Sequence, residues 1–174
     1  KKQDDGSWKV VLDVGGAETK EPYTGSREPK TAPAIKKHAA NAQVNVETER
    51  ANLLQAEQAF LKSAQKDGIA KAFAQHLSAT ARVHRRGMQP ILGHKAIAQF
   101  FARTTHVPTW EPLYAEVAHS GDLGYTYGSY ALQKNLDSAI AVEQGYYARV
   151  WKRGANAQWQ VVLDTTSPLP AEKN

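Results

Sequence analysis

The chain of 174 residues contains no cysteine, which excludes disulfide bonds, thiol catalysis and cysteine-bound metal, and which fits any cellular compartment. No apolar run approaches the roughly 18 residues that a membrane span requires, so we expect no membrane partner. Gly121, Gly124 and Gly128 lie within or beside a predicted strand rather than between a strand and a helix, so no phosphate-binding loop is predicted. Histidine pairs with metal-ligand spacing are also missing, and we predict neither a metal nor a cofactor.

Acidic residues are fewer than basic ones, and the formal net charge is +5 with a sequence pI near 9.4. A basic domain can indicate a nucleic-acid partner. Here the positive charges are spread along the chain, and the densest groups, at 36–38 and 82–86, match no nucleic-acid-binding motif. With 41% hydrophobic and 22% charged residues, the composition is typical of a globular domain. We therefore predict a solvated basic surface and no nucleic-acid partner.

Two segments of the sequence are nearly identical. Residues 8–13 read WKVVLD and residues 159–164 read WQVVLD, and the two tryptophans lie 151 positions apart. This separation is about the length of one domain and far exceeds the roughly 20–50 residues of a solenoid repeat. We therefore predict a tandem duplication, in which residues 1–16 contain the last strand of a truncated first copy. Chance similarity between two valine-rich strands is the alternative.

The rest of the chain divides by composition. Prolines, glycines and charged residues without periodicity occupy residues 17–45, which we interpret as a linker. Residues 46–168 are the complete second copy, and 169–174 are a tail. The first residue is lysine rather than methionine, so we expect a processed or trimmed form. A trimmed, basic chain without cysteine favours a periplasmic or secreted bacterial protein over a cytoplasmic one.

Helical patterns precede most strand patterns within the complete domain. Leu53, Ala56, Phe60 and Ala64 form one apolar stripe of the first helix. The predicted elements are helices over 46–66, 69–77 and 94–102, and strands over 79–86, 91–92, 110–119, 123–133, 143–152 and 158–165. Helices gathered at one end and an antiparallel sheet at the other predict an α+β fold.

Five motifs within these elements are specific as a set. They are LLQAEQAF at 53–60, PILGHKAI at 90–97, SGDLGYTYGSY at 120–130, YARVWK at 147–152 and WQVVLD at 159–164. Together they resemble the nuclear-transport-factor-2-like superfamily, in particular its SnoaL-like and ketosteroid-isomerase-like branch. The resemblance implies a cystatin-like α+β roll, which is a cone-shaped curved antiparallel sheet with about three helices and a pocket at its mouth. It also implies a homodimer through the outer face of the sheet.

The isomerase chemistry of that branch is not carried by the residues present. A ketosteroid isomerase needs a carboxylate base and an oxyanion hole of acidic donors. In the resembled family the base lies on the strand after the second helix, which here reads RVHRR at 82–86, without Asp or Glu. His84 is the candidate general base on this strand, because imidazole titrates near neutral pH. An exposed or hydrogen-bonded histidine without a catalytic role is the alternative.

Dehydratases of the superfamily combine histidines and an Asp with tyrosine donors. The same residue types occur here, although their spacing matches no motif: His84, His106, His119, Tyr125, Tyr127, Tyr147 and Asp164. From this set we take His84 and Asp164 as the candidate catalytic residues.

Aromatic residues on the predicted strands are the candidate ligand-binding groups. Strand alternation places Tyr125 and Tyr127 on one face of their strand, and Tyr147 and Arg149 on one face of the next. Aromatic hydroxyls on a concave sheet suit a ligand with an apolar body and a few polar atoms. Aromatic residues also pack across strands for purely structural reasons. The candidate ligand-binding residues are Trp110, Tyr125, Tyr127, Tyr147 and Arg86.

Two functions stay open at this stage. The first is a pocket that binds or transforms a small, partly apolar molecule, as an isomerase, dehydratase or cyclase would. The second is a non-catalytic ligand-sensing or protein-assembly module. We expect a cavity that opens toward the helices, with some of Trp110, Tyr127, Tyr147 and His84 in its walls. An ionisable group with a perturbed pKa in a water-poor cavity would favour catalysis, whereas apolar groups and tyrosine hydroxyls alone would favour binding.

Overall fold

Three helices and six strands make up a computed structural model that describes residues 3, 5–15, 44–135, 141–154 and 156–170. The helices are α1 (Val46–Asp67), α2 (Ile69–His76) and α3 (His94–Phe101). The strands are β1 (Leu77–His84), β2 (Ile91–Leu92), β3 (Val107–Val117), β4 (Leu123–Gln133), β5 (Ala141–Arg153) and β6 (Trp159–Pro168). Almost all of the predicted linker and most of the predicted tail lie outside the described residues. None of the described helices is long and apolar enough to cross a membrane.

The buried face of α1 contains a carboxylate. Leu53, Phe60 and Ala64 are buried as the stripe predicts, but Ala56 is only half-buried, and Glu57 is 0% exposed. A period of 3.6 residues lets either the third or the fourth residue after Leu53 face the core. A carboxylate is stable at such a position only when other groups neutralise it and bond to it. The partners of Glu57 therefore define the polar part of the core.

The six strands form one mixed sheet in the order β2-β1-β6-β5-β4-β3. Neighbouring strands are antiparallel except β1 and β6, which are parallel. The sequence predicts an antiparallel sheet, and this prediction is wrong for the pair β1 and β6. These two strands are not joined by a hairpin, because α3 and three hairpin-connected strands lie between them in the chain. Irregular register occurs in all three antiparallel pairs from β3 to β6, and such bulges bend and twist a sheet. The α+β fold expected from the sequence, with three helices and a curved sheet, is confirmed.

The helices cover the concave face of the sheet and leave the outer face open. Every second residue of the central strands points into the core, including Trp110, Tyr130, Tyr147, Trp151 and Val161. Aromatic rings of the helices pack among them. The rings of Phe73 and Phe101 are stacked with their centres 4.1 Å apart, and the rings of Phe60 and Phe73 meet edge-on with their centres 5.0 Å apart. The alternate residues of the same strands face outward, and Tyr146 on that face is 54% exposed.

The amino-terminal repeat is not a strand of this sheet. Residues 7–14 contain only an isolated bridge residue, Trp8. Trp8 and Val10 are 77% and 83% exposed, whereas their counterparts in β6, Trp159 and Val161, are 8% and 0% exposed. The segment lies against the outer face of the sheet, where it forms one wall of a groove. Its pairing with a sheet edge, in this chain or in a second copy, stays a prediction.

Candidate functional site

A cavity of about 280 Å³ lies between the concave face of the sheet, α2, α3 and the turn after β1. Its aromatic wall comes from both layers and consists of Phe73, Phe100, Phe101, Trp110, Tyr130 and Tyr147. Its charged groups are Arg85, Arg86, Glu143 and Arg149. A largely apolar wall with a few polar groups is typical of small-molecule sites, and the volume is close to the lower end of their usual range of about 300–1,000 Å³.

A buried ion network, which we call the floor, lies behind this cavity and contributes Arg85 and Arg149 to its wall. From β5, the Nε of Arg149 donates to Oδ2 of Asp164 at 2.6 Å, and its guanidinium also pairs with Glu57. Nη2 of Arg85 lies 2.6 Å from the other carboxylate oxygen, Oδ1 of Asp164. Glu57 and Asp164 are completely buried, and Arg149 is 4% exposed. Two guanidinium groups therefore balance two carboxylates in the core.

Hydrogen bonds to neutral groups complete the environment of Glu57. The hydroxyl of Thr126 donates to Oε2 of Glu57 at 2.6 Å, and Nε1 of Trp151 donates to the same hydroxyl at 3.0 Å. A hydroxyl can donate one hydrogen bond and accept another, so Thr126 is satisfied by both partners. Buried polar networks with their members paired are rigid, and this one fixes α1 against β4 and β5.

Aromatic rings enclose the guanidinium of Arg149. Its Cζ atom lies 4.2 Å from the ring centre of Trp110, 4.4 Å from that of Tyr147 and 4.7 Å from that of Phe60. These distances are within the range of cation–π attraction, which is stronger in a desolvated site. The charge of Arg149 is therefore held by two carboxylates and three rings rather than presented as a free cation.

The network keeps Asp164 ionised. Burial by itself would raise the pKa of the Asp164 carboxyl, but Arg85 and Arg149 outweigh burial and hold that pKa below its usual range. Burial would likewise lower the pKa of Arg149, and the charges of Glu57 and Asp164 outweigh it and raise that pKa. A carboxylate with a lowered pKa and two ion pairs is a weak proton acceptor, so this arrangement opposes a role for Asp164 as a general base.

Two buried donors in the wall of the cavity have no hydrogen-bond partner among the described residues. They are Nε1 of Trp110, which is 6% exposed, and the hydroxyl of Tyr147, which is 2% exposed. Burial, and after it the charge of Glu57, raises the pKa of Tyr147, so its hydroxyl stays protonated. Near the mouth, the hydroxyl of Tyr130 donates to Glu143 at 2.7 Å, and burial together with this bond raises the pKa of Tyr130.

The candidate residues from the sequence divide between the two faces of the sheet. Trp110, Tyr147 and Arg86 line the cavity, and Asp164 lies in its floor, bound to two arginines of the wall. His84, Tyr125 and Tyr127 are on strand positions that face outward. Alternation predicted which residues share a face, but it gave no indication of which face is concave.

His84 and Arg86 are two residues apart in the predicted strand over 79–86 and yet separate in the fold. His84 is the last residue of β1 and lies beside Thr165 on the outer side, where burial and then the charges of Arg82 and Arg85 lower its pKa. Beyond His84 the strand ends, so alternation no longer governs Arg86, which reaches the cavity from the following turn. His84 therefore does not belong to the group that the cavity brings together.

Glu57, Arg85 and Arg149 are the functional residues that the sequence interpretation missed or left without a role. Glu57 had no place in the site that the sequence predicted. A signal for it existed, since Glu57 is one turn after Leu53 and three residues before Phe60, both on the apolar stripe. Its partner could not be identified from the sequence, because 92 residues separate it from Arg149.

A second, larger cavity of about 700 Å³ lies on the outer face of the sheet, and we call it the outer groove. One wall is the amino-terminal segment with Trp8 and Leu12, and the other is the sheet surface with Leu123, Val150 and Leu163. Beside it, Tyr114 stacks on Tyr127 at 5.5 Å and donates a hydrogen bond to Glu116 at 2.7 Å. Among the described residues, no group of three or more His, Cys, Asp or Glu side chains could hold a metal ion in either cavity.

Solved structures share this architecture. A ketosteroid isomerase-like protein from Erwinia carotovora atroseptica aligns with a TM-score of 0.58 and 16% identity, over 70% of this chain and 97% of that one. A nuclear-transport-factor-2-like protein with a cystatin-like fold from Novosphingobium aromaticivorans aligns with a TM-score of 0.60 and 14% identity, over 72% and 85%. A domain of unknown function with a cystatin-like fold from Nostoc punctiforme aligns with a TM-score of 0.58 and 16% identity, over 71% and 80%.

These likenesses establish the fold and nothing finer. The chain has the cystatin-like, nuclear-transport-factor-2-like fold that its motifs resemble, and this expectation is confirmed. No protein-family model and no curated protein matches the sequence.

Proposed function

We propose that this protein binds a small, partly apolar molecule in the cavity of the cone and that its own ionisable side chains do not act as catalytic acids or bases. The observation that carries the proposal is the cavity of about 280 Å³, which has a largely apolar, aromatic wall. Two buried donors of this wall, on Trp110 and Tyr147, have no hydrogen-bond partner within the part of the chain that the structure describes. Apolar walls supply most of the binding free energy, and a few fixed polar groups orient the ligand.

The state of the ionisable groups favours binding over isomerase or dehydratase chemistry. Asp164 has a lowered pKa and two arginine partners, and Glu57 is paired with Arg149 and Thr126. His84, the other candidate base, lies on the opposite face of the sheet. A general base must come within hydrogen-bond reach of the proton that it removes. Asp164 is occupied by two arginines, and His84 is on the other side of the sheet, so neither candidate base is available to a ligand in the cavity.

Filling the cavity tests the proposal. Leu132 is a half-buried residue of the cavity wall, and Leu123 is an exposed residue of the outer groove. We expect compounds with an apolar ring and one polar group to raise the melting temperature of the native protein and of Leu123→Trp, but not of Leu132→Trp. If Leu123→Trp abolishes the stabilisation and Leu132→Trp retains it, the ligand site is the outer groove and the proposal is wrong.

Assembly is the second candidate function, and the outer face supports it. Several exposed apolar residues of the described chain lie on or beside this face, among them Trp8, Leu123 and Tyr146. Contiguous apolar surface on one face usually marks an interface. We propose a homodimer through this face, which sedimentation velocity tests directly. A single monomeric species at high protein concentration would contradict it.

A further inference from the structure

Around the cavity of the cone, the carboxylates have hydrogen-bond or ion-pair partners within the protein, whereas some of the donor groups do not. Asp164 receives two guanidinium groups, Glu57 receives Arg149 and Thr126, and Glu143 receives the hydroxyl of Tyr130. Every carboxylate in the floor and at the mouth of the cavity is therefore already bonded to a group of the protein.

Among the residues that the structure describes, the buried atoms of the cavity wall without a hydrogen-bond partner are both donors. Nε1 of Trp110 can only donate, and the hydroxyl of Tyr147 stays protonated because its pKa is raised. Arg86 also lines the cavity, and it forms no hydrogen bond or ion pair with any residue that the structure describes. Trp110 and Arg86 can be satisfied only by water or by a ligand that brings acceptor oxygens, whereas the hydroxyl of Tyr147 also interacts with Glu57.

The charges of the site point the same way. Arg85 and Arg149 are balanced in the floor by Glu57 and Asp164, which leaves Arg86 as the cation of the wall without a carboxylate partner among the described residues. Planar guanidinium groups match carboxylates in shape and bind them by two parallel hydrogen bonds. An amine in the same place would face three guanidinium groups and could reach only Glu143, which already accepts from Tyr130.

We infer that the ligand of the cone is an organic acid with an apolar body, whose carboxylate binds Arg86 while its apolar part lies against the aromatic wall. This inference rests on the proposed binding function and specifies the class of ligand. Because Arg86 is exposed, solvent and salt weaken its attraction, and the preference for an acid is expected to be moderate.

Three probes of one shape test the inference: 2-naphthoate, its neutral analogue 2-naphthamide, and the cation 2-naphthylmethylamine. We expect titration at low salt to give 2-naphthoate a dissociation constant roughly five- to tenfold below that of 2-naphthamide. The difference should shrink as salt is added. It should vanish in Arg86→Gln and persist in Arg82→Gln, because Arg82 is exposed on the outward face of β1.

The indole N–H signals in NMR spectra report where the probe binds. The signal of Trp110, assigned with Trp110→Phe, should shift with 2-naphthoate, and that of Trp8 on the outer face should not. Equal affinity for acid and amide, tighter binding of the amine, or an acid preference that survives Arg86→Gln overturns the organic-acid inference and leaves the binding function intact. If none of the probes binds in the cavity, the proposed function itself fails, and the inference fails with it.

Discussion

Replacing Arg149 by Met is the sharpest test of the buried ion network. Methionine keeps much of the length and apolar volume of the side chain and removes its charge and its donors. Both carboxylates would lose a cationic partner, and Glu57 would keep neutral partners such as Thr126 while Asp164 would keep Arg85. The three rings that enclose the guanidinium would lose their cation as well.

The expected loss follows from burial. Glu57 and Asp164 are 0% exposed, so water cannot replace the lost partner of either carboxylate without opening the core. Breaking a buried ion pair by removing one member costs about 3–5 kcal/mol of unfolding free energy. With a urea m-value of about 2 kcal/mol/M, the midpoint of unfolding should fall by roughly 2 M.

Urea denaturation followed by circular dichroism measures this change. Lys71→Met is the matched control, since it removes one positive charge from an exposed pair with Asp67 at 3.5 Å and should cost no more than about 0.5 kcal/mol. Adding Glu57→Gln to Arg149→Met should recover part of the loss, because the buried charge without a partner is then gone. If Arg149→Met costs no more than Lys71→Met, the network does not hold the core together and the reasoning is refuted.

Three further predictions follow from single features of the fold. The pKa of Asp164 is lowered in the folded protein, so this carboxylate stabilises the fold above its unfolded pKa of about 3.9, and the stabilisation is lost as the pH falls through the folded pKa. Asp164→Asn should therefore reduce the free energy of unfolding at pH 7. In denaturation experiments at a series of pH values, the same variant should lose stability less steeply than the native protein as the pH falls. A Cβ on Gly128 would lie 1.9 Å from a backbone oxygen of β3, so Gly128→Ala should lower the melting temperature by several degrees, whereas Gly15→Ala, with open space around it, should not. Deleting residues 1–16 should shift the oligomeric state in sedimentation or lower the melting temperature, and no change in either would show that the predicted strand has no structural partner.

Much of the fold could be predicted because its elements are periodic. The bounds of the predicted elements differ from the observed ones by three residues at most, as in β3 and β6. Hydrophobic spacing and hairpin turns are local properties, and they determined both the order of elements and the sets of residues that share a strand face. The parallel pairing of β1 with β6 is non-local, and no turn pattern in the sequence predicts it.

The candidate site was predictable only in part, for a similar reason. Trp110 and Tyr147 reach the cavity, but Tyr125 and Tyr127 of the neighbouring strand face outward. The direction in which the sheet curves decides between the two faces, and this curvature depends on bulges and on the packing of helices. Glu57 was not identified as a site residue, because its partner Arg149 is 92 residues away in the chain.

The sequence by itself therefore determined the secondary elements, the α+β class, the resemblance to one superfamily and the repeat of WKVVLD as WQVVLD, since each depends on residue types at short or fixed spacings. Only the tertiary structure decided which face of the sheet is concave and that His84 lies away from the cavity. It also decided that Arg149, Glu57 and Asp164 neutralise one another in the core. These properties depend on distances between residues far apart in the chain, and such distances exist only once the sheet has curved around its helices.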